Sequence, residues 1–230
     1  MKNLLLLISI VGCLLPAQTP EVSITAKGTY TTSTRFLYDI DKPDIYYDGA
    51  ILESNYGFGL DVRWSILWDR FSIGISGERI SSKDLSYTVF PQFQDLRVVR
   101  EEGFDLTALE ISGYYVVPIS SEKIQFYLGG GFGLYDGERI YSIAGVQSAT
   151  VQTTSNVGIH VLTGIDYWFL PKVGVRGELK FRDPHFDAST QFDQPFVTVA
   201  GYQIPLDQNI TTTRVNLFGV NYMIGLVIVL

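Results

Sequence analysis

Between Val157 and Arg182 the chain alternates twice around a short turn, and few folds can accept that pattern. On the first arm Val157, Ile159, Val161, Ile165, Tyr167 and Phe169 occupy odd positions, while Gly158, His160, Gly164 and Asp166 occupy even ones. A helix repeats every ~3.6 residues and cannot sort side chains this way, so the arm is a strand. Beyond Leu170-Pro171-Lys172 the second arm puts Val173, Val175, Leu179 and Phe181 on one face and Arg176, Glu178, Lys180 and Arg182 on the other. Two such arms predict a β-hairpin. Paired residues share a face and both arms are apolar at odd numbers, so the loop must hold an odd number of residues. With Leu170 to Lys172 as that loop, Asp166 lies opposite Arg176 and Ile165 opposite Gly177. A face mixing both signs of charge with glycine suits the interior of a small closed barrel, which turns the apolar face to lipid.

The same alternation recurs along the chain. It covers Val22 to Tyr30, Tyr56 to Ile66, Phe71 to Glu78, Leu109 to Val117, Ile124 to Leu134 and, less regularly, Asn216 to Leu230. Phe104 to Ala108 falls out of phase with the strand that follows it, which predicts a bulge. Long segments at 31–54, 81–103, 137–156 and 183–212 separate some of these strands, and short turns near Trp68-Asp69-Arg70, Pro118 to Lys123 and Leu170 to Lys172 join the others. The expected fold is all-β: a transmembrane antiparallel up-and-down barrel of eight strands, with four long outer loops and three short periplasmic turns. Eight strands close without a free edge, as a bilayer demands, and no proline interrupts any of them.

Composition and leader agree with export to a membrane. Charged residues make up 18% and aromatics 13%, including 14 Tyr and 14 Phe, a balance that favours strands in lipid. Lys2, an apolar run from Leu4 to Leu15 and Pro16-Ala17-Gln18 read as a signal peptide over 1–17, leaving 18–230 as the barrel. An alternative use of the leader is lipidation at Cys13 within Ile10-Val11-Gly12-Cys13. Cys13 is the only cysteine, so a chain cut after Ala17 has neither a disulfide nor a thiolate metal site. Losing Lys2, the only charged residue among the first 17, takes the formal charge from −7 to −8, which speaks against nucleic acid as a partner.

Taken together, these strands resemble the eight-stranded barrel domain of OmpA-like, OmpX-like and OmpW-like outer-membrane proteins. The pieces that carry the resemblance are Tyr127-Leu128-Gly129-Gly130-Gly131-Phe132-Gly133, Thr163-Gly164-Ile165-Asp166-Tyr167 and Gly174-Val175-Arg176-Gly177-Glu178-Leu179-Lys180-Phe181. Gly225, Ile228 and Leu230 are similar to the C-terminal signal read by barrel-assembly machinery, except that Leu230 stands where that signal usually ends in an aromatic. The resemblance implies location in the outer membrane of a Gram-negative-type bacterium after export. It also implies dealings with periplasmic chaperones, the assembly machinery, outer-membrane lipid and lipopolysaccharide, as a monomer. OmpW-like relatives suggest a narrow channel for small solutes as an alternative role. A soluble lipocalin-like barrel, apolar inside, is a further alternative.

No residue set points to catalysis, a cofactor or a bound metal. Gly129 to Gly133 lacks the full phosphate-loop spacing, and no helix follows it. Asp39, Asp41, Asp44 and Asp48 offer hard oxygen ligands for a divalent ion, but Pro43 interrupts the spacing and a solvated loop explains them better. His185, Asp187 and Ser189 are the residue types of a triad, yet sequence neighbours rarely adopt its geometry. The residues expected to matter are the interior charges Asp61, Arg63, Glu78, Glu110, Asp166, Arg176, Glu178, Lys180 and Arg182, with His160 as a packing group among them. They either plug the lumen or line a narrow pore.

Overall fold

Each alternating stretch is a strand, and most of the strands run well past the alternation that marks them. The computed structural model describes residues 21–40, 49–67, 70–93 and 95–230, apart from the Leu67 side chain. The leader with Cys13, the aspartates 41, 44 and 48, and Trp68 and Asp69 of one expected turn lie outside the described residues. In chain order the strands are β1 (Val22–Leu37), β2 (Ile51–Leu67), β3 (Phe71–Phe90), β4 (Leu96–Val116), β5 (Ile124–Ile143), β6 (Val146–Gln147) and β7 (Ala149–Thr154). They continue as β8 (Asn156–Leu170), β9 (Val173–Arg182), β10 (His185–Gln191), β11 (Phe196–Val199), β12 (Tyr202–Pro205), β13 (Thr211–Asn216) and β14 (Val220–Val229).

Eight of these strands form an antiparallel ring in the order β14-β9-β8-β5-β4-β3-β2-β1. Pairing of β1 with β14, from Ser23 against Val229 to Thr31 against Asn221, closes it. Around the ring runs an exposed apolar belt in which Phe58, Ile159 and Ile224 are 68%, 76% and 67% accessible. So large a contiguous apolar surface has no place in water. Tyrosines edge the belt at its upper end, where Tyr30 stacks 5.3 Å from Tyr56 and 6.2 Å from Tyr222. Phe71, Tyr115, Tyr167 and Phe169 line the opposite end, giving the two aromatic girdles of a membrane barrel.

The long segments are largely sheet, not irregular loop as the sequence reading expects. β3 and β4 run for 20 and 21 residues in unbroken register from Phe71 against Tyr115 to Phe90 against Leu96. A bilayer needs only ~9–11 residues per strand, so about half of this hairpin rises above the belt. Three of the ring strands also continue upward after a single break. β8 is prolonged by β7, β9 by β10 and β14 by β13, and the order β7-β10-β13-β1 above repeats β8-β9-β14-β1 below. Pro184 lacks an N–H and marks one break; its carbonyl accepts the Leu217 N–H at 3.0 Å, tying two breaks together.

The bulge expected at Phe104 to Ala108 is absent, because pairing from Leu109 against Gly77 to Phe104 against Ser82 is continuous. What changes there is the medium. Below, the inward residues Glu110 and Ser112 are polar and the outward Leu109 and Ile111 apolar. Above, Phe104, Leu106 and Ala108 point inward and are buried while Asp105 and Thr107 point out. A barrel facing lipid is polar inside; the same barrel in water is apolar inside, so the apolar residues change parity without any irregularity of the backbone.

The turn between β8 and β9 also differs in detail. Leu170 pairs with Val173, so only Pro171 and Lys172 span the turn, and a register shift between Trp168 and Leu170 makes Phe169 the extra residue. Parity needed one odd residue, and a bulge supplies it. Above the shift the register keeps Asp166 against Arg176 and Ile165 against Gly177.

Candidate functional site

Alternation delivers one inward side chain per two residues of each strand, and at the level of the belt those side chains are ionic. Asp61 and Arg63 come from β2, Glu78 from β3, Glu110 from β4, His160 and Asp166 from β8, and Arg176, Glu178, Lys180 and Arg182 from β9. All ten are buried. Lys27 of β1 joins them from an inward position between Thr25 and Thr29, a residue that the parity of that strand reveals once strand one is known to face the same lumen. Among the described residues the layer then holds five cations, Lys27, Arg63, Arg176, Lys180 and Arg182, against five carboxylates, Asp61, Glu78, Glu110, Asp166 and Glu178.

Two linked clusters emerge. Towards the lower mouth Arg176 grips Asp166 with both forks, Nε to Oδ1 at 2.8 Å and Nη2 to Oδ2 at 2.7 Å, while its Nη1 donates to Asp61 at 3.2 Å and to Thr25 at 2.9 Å. Arg63 donates to Asp61 at 2.8 Å and to Glu178, and its guanidinium lies 3.6 Å from the Tyr114 ring centre. Towards the upper mouth Arg182 donates to both oxygens of Glu78, at 3.0 and 3.1 Å, and to Glu110 at 3.1 Å. Glu110 also accepts from Lys180, from Tyr135 at 3.0 Å and from Ser76 at 3.3 Å. Bidentate and shared pairing of this kind is what a desolvated charge requires.

Glycines make room for these long side chains. A Cβ on Gly164 would stand 2.3 Å from the Tyr127 phenol, whose hydroxyl donates to Glu178 at 2.7 Å. Gly164→Val is therefore expected to push Tyr127 off Glu178 and to lower stability by about 1–3 kcal/mol, read as a lower urea midpoint for the folded barrel.

Above the ionic layer the interior becomes apolar. Phe36, Leu52, Ile80, Phe104, Leu106, Tyr135, Phe186, Val215 and Leu217 form one buried cluster with Ala108 and Ala188. Phe36 and Phe104 pack with ring centres 6.3 Å apart. Tyr135 belongs to both layers, its ring in the cluster and its hydroxyl on Glu110. Below the ionic layer a small vestibule of about 100 Å³ opens at the lower mouth between Arg63, Tyr127, Asp166 and Arg176.

His160 Nε2 lies 2.7 Å from Ser112 Oγ, a contact that the sequence reading did not anticipate. Its Nδ1 has no partner among the described residues, so no carboxylate orients the ring as a catalytic base would need. His185, Asp187 and Ser189 are not brought together as a triad: Asp187 pairs with Arg214, Ser189 with Thr212 and His185 with Asn156. Among the described residues no group of three His, Cys, Asp or Glu could hold a metal. Gly225 lies between Lys27 and Arg176 in the sheet, Ile228 faces the belt and Leu230 ends the chain exposed.

No protein-family model matches the chain, and no curated protein does. Solved structures do. The outer membrane protein OprG of Pseudomonas aeruginosa superposes with a TM-score of 0.57 at 14% identity, covering 91% of this chain and 96% of that one. Neisserial surface protein A gives 0.47 at 12% identity over 90% and 96%, and the attachment invasion locus protein Ail of Yersinia pestis 0.48 at 12% over 93% and 100%. At such identities the likeness is one of fold, and the first of the three carries it. With the closed ring, the exposed belt and the ionic interior, the chain has the fold of the eight-stranded outer-membrane β-barrels.

Proposed function

We propose that this protein is an integral outer-membrane barrel with a sealed lumen, acting through the sheet that it raises outside the membrane. The observation that carries this reading is the stack of two closures, a charge-balanced ionic layer under a buried apolar cluster. A channel needs a continuous wet path, and the buried rings of Phe36, Phe104, Tyr135 and Phe186 in the apolar cluster support a closed one. The lipocalin-like alternative needs an apolar lumen behind a polar wall, whereas the belt has an apolar wall and an ionic lumen. The signal peptide, passage through the periplasm and the assembly signal at Gly225, Ile228 and Leu230 belong to the same reading.

Cell fractionation should recover the protein with outer membranes, and unboiled samples should migrate differently from boiled ones on gels. Purified protein in planar bilayers should stay silent over many insertions at neutral pH. Reproducible conductance steps would instead support the narrow channel.

A further inference from the structure

We propose that the outer mouth of the barrel is a binding site for a single uncharged sugar ring. The inference rests on the orientation read above, which places this mouth outside the cell. Directly over the apolar cluster, β4, β5, β10 and β13 enclose a cavity of about 310 Å³. That is the lower end of the range for small-ligand pockets, roughly 300–1,000 Å³, and barrel mouths are a usual place for them. Arg100, Arg139, Tyr141, Thr190 and Thr211 reach it from strands, while Tyr38, Phe192, Asp207 and Asn209 reach it from the connections beside them.

Tyr38 and Tyr141 line it with partly accessible rings, and Phe192, buried at 4% accessible, packs 5.5 Å from Tyr141 behind them. Such rings suit the C–H face of a pyranose. Burial and the neighbouring Glu102 carboxylate hold the Tyr38 hydroxyl above the ordinary tyrosine range, so it stays a donor, and it donates to Glu102 at 2.6 Å. Arg139 lies 4.3 Å from the Tyr141 ring centre and Arg100 5.3 Å, which braces that ring.

The charges argue against an anionic ligand. Arg100 and Arg139 both donate to Glu102, and Arg139 spends its Nη1 on Thr213 at 2.8 Å and Thr190 at 3.4 Å. Neither guanidinium offers a free fork for a phosphate or carboxylate. Across the cavity Asp207 balances the remaining positive charge. Its Oδ1 accepts from the Asn209 backbone at 2.9 Å and side chain at 2.8 Å, while Oδ2 has no protein partner among the described residues. A carboxylate oxygen without a protein partner among the described residues, in a cavity that aromatic rings also line, suits the hydroxyls of a sugar.

The test uses the refolded full barrel in detergent micelles, titrated with methyl glycosides of glucose, galactose, mannose and N-acetylglucosamine. N-acetylneuraminic acid and inorganic phosphate serve as anionic probes, with saturation-transfer NMR and calorimetry as readouts. At least one neutral glycoside should bind, and Asp207→Asn and Tyr141→Ala should each weaken it by about tenfold or more. Asp207 is exposed on the rim, so its substitution leaves the fold intact, which an unchanged gel shift verifies. Tyr87→Ala, on the projecting β3–β4 hairpin, should change nothing. Silence from all four glycosides, binding indifferent to both pocket variants, or preference for the anionic probes would each overturn the proposal. None of these outcomes depends on where the protein resides, which fractionation tests separately.

Discussion

Glu110→Ala should be the most damaging single substitution in the lumen, lowering stability by about 3–5 kcal/mol. Glu110 is 1% accessible and accepts from Lys180, Arg182, Tyr135 and Ser76, so its loss leaves two buried cations short of a carboxylate. The cost comes less from the contacts removed than from the charge stranded among them. Adding Lys180→Met to the variant should therefore recover part of the loss, since it removes one stranded cation, and the double-mutant cycle in urea measures that coupling. Asp187→Ala gives the contrast. Its pair with Arg214 is at the same kind of distance, 2.7 Å, but stands well above the ionic layer with the two side chains 22% and 38% accessible. An exposed pair contributes at most ~1 kcal/mol, so equal effects at Glu110 and Asp187 would mean that the lumen is wet.

Leu128→Arg should cost about 2–4 kcal/mol or block assembly, because Leu128 faces outward midway along the apolar run of β5 and lipid cannot solvate a guanidinium there. Glu138→Arg, ten residues further on the same strand and the same outward face, should fall within about 0.5 kcal/mol, since that end of β5 stands in water. The pair measures the membrane boundary directly, by urea unfolding in lipid vesicles. A soluble barrel would make both changes equally mild, as both side chains are exposed.

That boundary also explains which parts of the fold were legible. Within the belt, one face meets lipid and the other meets charge, so residues such as Tyr56 to Ile66 alternate without a break and announce a strand. Above it the contrast reverses. Phe104, Leu106 and Ala108 are inward like Glu110, yet an apolar inward residue after a polar one looks like a slipped register. Only in a single medium along the whole strand would the phase change mean a bulge and the segments beyond it loops. The short strands β7 and β13 carry little periodic signal, because Thr sits on both faces of each.

The interior charges behaved differently. Parity alone placed Asp61, Arg63, Glu78, Glu110, Asp166, Arg176, Glu178, Lys180 and Arg182 in the lumen, because pleating leaves a side chain only two directions. Even Asp166 against Arg176 follows from counting around one turn. Pairings across the ring do not. That Arg182 reaches Glu78, 104 positions away, or that Ser112 meets His160, depends on strand tilt and on how eight strands close. The apolar cluster above the ionic layer and the cavity resting on it have the same origin: they draw single residues from many parts of the chain, and no local pattern marks them. Alternation decided which way each side chain points, since that is a property of the strand itself. Only the closed ring decided what it meets there.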